Sequence, residues 1–141
     1  MRVEGRVFRS GKWRVIEVPA LNVSTQGQTK DEAYEMIADA IEMLVNVRGF
    51  RVKVIRRSGS SFEITSTDPA RLLALLLQRQ RQAHGLSLKD VADRLGMRSR
   101  NAYARYEQAR SVPTLPKLEE LLKAVNPDAE LLVRVTEEQA G

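Results

Sequence analysis

The sequence predicts an α+β fold in two parts, a βββαββ unit over residues 1–67 and an all-α unit of four helices from Asp68 onward. Three observations carry this. In the first third apolar and polar residues alternate, which is the period of a half-buried strand. Beyond Asp68 the apolar residues recur every three or four positions, the period of a helix with one buried face. Between the two stands Thr67-Asp68-Pro69, where Asp68 can cap a helix and Pro69 suits a first turn that needs no amide donor.

Val3, Gly5 and Val7 alternate with Arg2, Glu4 and Arg6 before a Ser10-Gly11 turn. The alternation resumes from Trp13 to Val18, which predicts a hairpin. Pro19 lacks a donor and stops the second strand, and residues 21–26 read as a third, ending at Gly27. Thr29 and Glu32 have the spacing of a capping box. Ala33, Ile37, Ala40, Ile41 and Leu44 then fall on one helical stripe that Gly49 closes. Residues 51–56 and 61–66 read as two further strands across a Ser-Gly-Ser turn.

In the second part, Leu72, Leu73 and Leu76 belong to a strongly apolar helix that turns polar over residues 78–82 and stops at Gly85. Ser87 caps the next helix, with Val91, Ala92 and Leu95 as its buried stripe and Gly96 at its end. A third helix covers residues 99–109 and Val112-Pro113 breaks the chain. Thr114 opens a fourth with Leu115, Leu118, Leu121, Leu122 and Val125 on one side, closed by Asn126-Pro127. Residues 130–135 are rich in strand formers and predict a short terminal strand within a 127–141 tail.

Apolar residues make up 43% and charged residues 29%, the balance of a folded chain. The longest apolar run, residues 72–77, is six residues and far too short for a bilayer. The N-terminus alternates charge and has no secretory pattern. There is no cysteine, so a cytoplasmic protein without disulfides or thiolate metal sites is expected. The net charge of +5 divides into +3 over residues 1–67, +5 over 68–125 and −3 over 126–141. The excess in the middle favours a polyanion partner for the helical part.

A helix-turn-helix needs a small residue where the first helix approaches the second. It also needs a glycine four positions later, where the turn takes positive φ. Ala92 and Gly96 have that spacing. Tyr103 and Tyr106 can pack the second helix back onto the first. Ser87, Lys89, Arg98, Ser99, Arg100, Asn101 and Arg105 are then the expected DNA contacts. Arginine pairs bidentately with guanine and asparagine with adenine, while serine or lysine at a helix start can hold phosphate. One reading helix covers few base pairs, so a homodimer on a palindromic operator is expected, with pairing of dimers into a tetramer left open.

Residues 86–96 (Leu-Ser-Leu-Lys-Asp-Val-Ala-Asp-Arg-Leu-Gly), Tyr106-Glu107 and Val112-Pro-Thr-Leu-Pro-Lys-Leu118 resemble the Cro/C1-repressor (XRE) type of helix-turn-helix. Gln108-Ala109 replaces that pattern's basic residue and glycine. Residues 99–108 (Ser-Arg-Asn-Ala-Tyr-Ala-Arg-Tyr-Glu-Gln) resemble the C-terminal domain of HicB-type antitoxins. Residues 4–13, Thr25-Gln26-Gly27 and Asp31-Glu32-Ala33 resemble the N-terminal domain of the same proteins, which belong to type II toxin–antitoxin systems. The resemblance implies a truncated RNase H-like fold for residues 1–67, which would bind and neutralise a HicA-like RNA-cleaving toxin. It also implies a repressor of its own operon over residues 68–126. A basic toxin would be met by acidic or aromatic groups, which makes Trp13 and Glu17 the first contacts to consider. Trp13 itself is expected in the core, with an interface anchor as the other reading. The two functions are expected to separate at Asp68.

No enzyme activity, metal or cofactor is expected. RNase H-like catalysis needs several carboxylates converging on a divalent metal. Asp31, Glu32, Glu35, Asp39 and Glu42 instead form the polar side of one helix, and no spacing joins Glu4, Glu17 and Glu63. His84, the only histidine, is expected to face carbonyls at a helix end. A ligand-responsive transcription regulator with a small-molecule-sensing N-terminal unit is the alternative.

Overall fold

The computed structural model describes residues 1–137. Strands β1 (Val3–Ser10), β2 (Trp13–Val18) and β3 (Val23–Gly27) precede α1 (Lys30–Val45), β4 (Val52–Arg56) and β5 (Ser61–Ser66). Four helices follow, α2 (Pro69–Ala83), α3 (Leu88–Arg94), α4 (Arg100–Glu107) and α5 (Leu115–Val125). The five strands form one antiparallel sheet in the order β3-β2-β1-β5-β4. The mixed α+β class is therefore as expected.

Local chemistry explains the boundaries. Gly11 takes φ +60 in the β1–β2 turn. The third strand begins at Val23 and not at Leu21, because Pro19–Leu21 closes a 3₁₀ turn whose carbonyls serve another purpose described below. The Thr29 side chain accepts the Glu32 amide at 3.1 Å and caps α1. The same helix ends at Asn46, in the left-handed region at φ 52, and not at Gly49. An asparagine tolerates that conformation well enough to act as the stop. Ala33, Tyr34, Ile37 and Ile41 are buried beneath the sheet, whereas Leu44, expected on the same stripe, is 42% exposed.

Gly27 stands where the sheet meets the start of α1. A Cβ there would lie 2.6 Å from the Ala33 backbone nitrogen, which no side-chain rotation can relieve. Gly27→Ala is therefore expected to destabilise the fold by about 3 kcal/mol, at the upper end for overpacking. Urea unfolding monitored at Trp13 measures this, and a change of less than about 0.5 kcal/mol, the range of neutral surface substitutions, would remove the close-approach argument.

One face of the sheet is covered and the other is largely open. Val3, Val7, Ile16, Val18, Val23, Phe62 and Ile64 pack with α1, and Leu72 and Leu75 of α2 join the same core. The remainder of α2 turns the other way. Leu77 packs with Val91, Ala92, Tyr103, Leu121, Leu122, Ala124 and Val125, and Leu76 touches both clusters. Polar contacts lock the same junction. Arg79 donates to the carbonyls of Leu21 (3.0 Å) and Asn22 (2.6 Å), Gln80 donates to Ala20 (2.8 Å), and Asn126 donates to the Gln80 side chain (3.1 Å). Asp68 caps α2, accepting the Arg71 amide at 3.2 Å. A cut there would nonetheless strip Leu72 and Leu75 from the first core, roughly 2 kcal/mol of apolar burial for each. The helix after the boundary belongs to both units.

On the open face Trp13 is half-buried and lies outside both cores, with the Lys12 ammonium 5.7 Å from its ring centre. The expectation of a core tryptophan fails because, by its pairing with Ser10 next to the tight turn, Trp13 falls on the uncovered side. Glu17 accepts from Arg6 at 2.7 Å on the same face.

Glu63, 8% exposed, receives Arg57 at 2.7 Å, Arg2 at 3.2 Å and Arg134 at 3.3 Å. The Arg57 hydrogen bond, outweighing desolvation and helped by the nearby positive charges, holds its carboxyl below the ordinary value of 4.5. A depressed carboxylate stabilises the fold above its unfolded value, and that contribution is lost as pH falls through the lower folded value. The stability gap between the wild type and Glu63→Gln should therefore be open at neutral pH and close below about pH 4. Urea midpoints across pH 3–7 measure it, and a pH-independent gap would contradict the account.

The expected terminal strand is absent. Residues 126–137 have no regular secondary structure, and Leu132, Val133 and Val135 are 84%, 73% and 90% exposed. Strand propensity needs a ladder partner to be realised, and here Arg134 engages the sheet unit through side-chain contacts with Glu63 and Glu4. Residues 138–141 of the tail lie outside the described residues.

Candidate nucleic-acid interface

Ser87 and Asp90 form a reciprocal box at the start of α3. The Ser87 oxygen accepts the Asp90 amide at 3.0 Å and the Asp90 carboxylate accepts the Ser87 amide at 2.9 Å. That backbone hydrogen bond and the Ser87 side chain lower the Asp90 pKa. Val91 and Ala92 are buried, and the absence of a longer side chain at 92 lets α4 come close. The turn is made by Gly96 at φ +68, with the Met97 amide returning to the Ala92 carbonyl at 2.9 Å. A residue with a Cβ would be strained there.

Ser99 caps α4 by accepting the Ala102 amide at 3.3 Å. Tyr103 is fully buried and Ala104 nearly so, and they fix which face of α4 turns inward. Burial, reinforced by the nearby Glu107 charge, pushes the Tyr103 phenol far up. Its hydroxyl makes no hydrogen bond of acceptable geometry among the described residues, although it lies close enough to feel Glu107. The strongest tie on this helix runs between Glu107 and Arg81 of α2. Arg81 Nε and Nη2 donate to the two carboxylate oxygens at 2.8 and 2.9 Å, and Nη1 donates to the Leu86 carbonyl at 2.9 Å. The two side chains are only 13% and 6% exposed. This bidentate pair clamps the C-terminal end of α4 to the helix that also packs on the sheet.

The outward face of α4 carries the expected contacts. Arg98, Ser99, Arg100, Asn101 and Arg105 are all exposed, and none of the three arginines forms an ion pair among the described residues. Ser99, Asn101, Ala102 and Arg105 line one open cleft with Gln108 and Arg110. Positions 98, 101, 105 and 108 follow the helical period, so Gln108 was legible as a continuation of the stripe. Arg110 lies beyond the helix end and no periodicity points to it. Ser87 and Lys89 stand apart on α3. Ser87 is committed to capping, with its own proton left to donate, and Lys89 is held by Asp93 at 2.8 Å, which raises its pKa. Arg94, read as outward, reaches the Ala124 carbonyl at 3.0 Å and ties α3 to α5. Leu115, expected on the buried side of α5, is 56% exposed. His84 contacts the Gln80 carbonyl at 2.9 Å at the end of α2, as expected of a helix-end histidine.

The segment after α4 explains one departure in the sequence. Ala109 sits at φ +56, where the repressor pattern has glycine. Ala109→Gly is expected to stabilise the protein by up to about 1 kcal/mol, since relief of left-handed strain exceeds the added freedom of the unfolded chain. Thermal unfolding measures it, and a lowered midpoint would show that Ala109 is not strained.

Two helices joined by a glycine turn, the second clamped from behind and bare of counter-charge in front, form a surface suited to a duplex groove. Residues 72–134 match the helix-turn-helix domain family. The match spans α2 to the tail and leaves residues 1–71 outside it. It supports DNA as the partner of this unit and transcription regulation as its role. No curated protein matches the chain. Among the described residues, no helix is long and apolar enough to cross a membrane.

Proposed function

We propose that the protein is a HicB-type antitoxin, cytoplasmic and without catalytic activity. In this reading residues 68–126 repress its own operon as a homodimer, and residues 1–67 bind and neutralise a HicA-like toxin. The uncompensated arginine face of α4 carries the DNA half of the reading. In this reading Ser87 and Lys89, apart from it at the start of α3, supply phosphate contacts, and Arg100, Asn101 and Arg105 read bases.

Support for the partner half is the resemblance together with the open sheet face. Phe8 is 43% exposed there and Trp13 is half-buried, and Glu4 is the well-exposed acid beside them. The RNase H-like description of the sheet belongs to the same proposal. The carboxylates of that face are engaged with arginines, Glu17 with Arg6 and Glu63 with three of them, which suits binding better than metal-assisted hydrolysis.

The test uses the full chain. Co-expression with its own adjacent small basic protein should yield a stable complex and restore growth, and Trp13→Ala with Glu17→Lys should weaken that complex while operator binding persists. A bound metabolite in place of a protein partner would favour the ligand-responsive regulator.

A further inference from the structure

The two edges of the sheet are unlike. β4 carries Lys53 and Arg56 in exposed positions, and the amide of its first residue, Val52, donates to the Glu42 carboxylate at 3.0 Å. Charges and an occupied donor keep a strand edge from pairing with another chain. β3 has neither. Its five residues, Val-Ser-Thr-Gln-Gly, include no charge and no proline, and the sheet order gives it β2 alone as neighbour. Among the described residues no side chain or loop bonds to the backbone of Val23–Gly27 from the outer side; the nearest such contact is that of Arg79 with the Asn22 carbonyl.

One flank of α1 continues this edge. Ala33, Tyr34, Ile37 and Ile41 turn the helix onto the sheet. Asp31 reaches Arg56 at 2.9 Å and Glu42 reaches Val52, so one flank faces β4. By the helical period Met36, Ala40 and Met43 fall on the opposite flank, which is the β3 side, with Leu44 between them and the core. Gly27, against the Ala33 backbone, keeps the start of α1 close over β3. Met36 is 40% exposed, Met43 78% and Leu44 42%, and Ala40 is half-buried. Glu32 and Asp39 stand at the outer margin of this stripe. Apolar surface beside an unguarded strand edge is surface left for another chain.

The lack of charge points to which chain. A two-fold axis sets each residue near it against the same patch of its copy, so a charge there would meet its like. A charged partner would in turn be selected by opposite charges. Neither Val23–Gly27 nor the stripe of Met36, Ala40, Met43 and Leu44 has any. We propose that two copies pair through β3, antiparallel and centred on Thr25, so that one sheet runs through both and the two α1 flanks pack together on its covered face. In that register Ser24 stands opposite Gln26 of the other copy on the open face, and Val23 opposite Gly27. Methionine side chains, flexible and polarizable, suit the helix contact. The interface is separate from the α4 face and from the pairing of helix-turn-helix units, and it needs neither operator nor toxin.

The test is the mass of the full chain by sedimentation equilibrium over a concentration series without DNA. Ser24→Lys/Gln26→Lys places like charges directly opposite each other and should raise the dissociation constant of this association step about tenfold or more. Ser24→Glu/Gln26→Glu should do the same. Mixing the two variants should restore wild-type association, which a folding defect could not do. Met36→Lys/Met43→Lys should weaken the step by at least as much. Because the chain has no cysteine, Ser24→Cys mixed with Gln26→Cys reads the register, and oxidation should link the mixture faster than either variant alone. The charge variants should still bind the operator duplex, which separates failure here from failure of the DNA-binding reading. A wild type that stays monomeric overturns the proposal, as do charge variants that associate within twofold of it or a mixture that fails to recover. It is equally overturned if Met36→Lys/Met43→Lys loses the adjacent small basic protein while self-association is unchanged, since the surface would then belong to that protein.

Discussion

Glu107→Ala is expected to destabilise the helix-turn-helix unit by about 3–5 kcal/mol, because it leaves the Arg81 guanidinium buried without its counter-charge. Arg81 is 13% exposed and its three donors are aimed at Glu107 and the Leu86 carbonyl. It cannot reach water without breaking the α2–α4 packing around Tyr103. Removing both charges together, as in Arg81→Met/Glu107→Leu, should cost much less, since an apolar pair of similar volume needs no compensation. Urea unfolding of the single and double variants measures the difference. A single variant within about 1 kcal/mol of the wild type would mean that the pair is solvated and that α4 is held by apolar contacts alone.

The second large effect concerns binding. Replacing Arg98, Arg100 and Arg105 together with glutamine should reduce operator affinity by two to four orders of magnitude, taking about 1–3 kcal/mol for a base contact and somewhat less for a phosphate contact. The salt slope should fall by as much as about 2.7 if all three touch phosphate, and by less for each one that reads a base. Arg100→Ala alone should cost about 1–3 kcal/mol and relax discrimination at one base pair. Lys89→Ala should weaken all duplexes alike and only slightly, because Asp93 already partly neutralises it. Anisotropy titrations over a salt series separate these cases, and a triple variant that binds like the wild type would remove α4 from the interface.

Much of this architecture could be read from the chain because local signals agreed with tertiary demands. Ser87 caps a helix as its position suggested, and Gly96 takes the positive φ that the spacing from Ala92 required, while the helix read over residues 99–109 is shorter, with Ser99 as its cap and an end at Glu107 before Ala109 turns to positive φ. The expectations that failed depended on long-range partners. Residues 130–135 have strand composition, but Arg134 finds only two carboxylates and no ladder. Trp13 looked like core because aromatic residues usually are, yet strand register put it on the uncovered face. The Arg81–Glu107 pair spans 26 positions, and no periodicity links residues so far apart. The change of period at Asp68 was visible, whereas the double duty of the helix that follows it was not. Leu72 and Leu75 face one core and Leu77 the other, and a run of leucines does not disclose which neighbour each side chain meets.

That shared helix bears on mechanism. A partner seated on the sheet unit acts on a body joined to the reading helix through Arg79, Gln80 and Arg81, three successive residues of α2 that face the 3₁₀ turn and α4. Coupling between partner occupancy and operator affinity therefore has a short physical route, and operator affinity measured with and without the partner reads it directly.

The central claim is that the α4 face reads duplex DNA by sequence. Its most direct test is the affinity of the full chain for a duplex from its own promoter region against a scrambled duplex of equal length and composition, at physiological salt. The account predicts a preference of about a thousandfold or more that collapses in the Arg98/Arg100/Arg105 variant. Equal affinity for the two duplexes would contradict it.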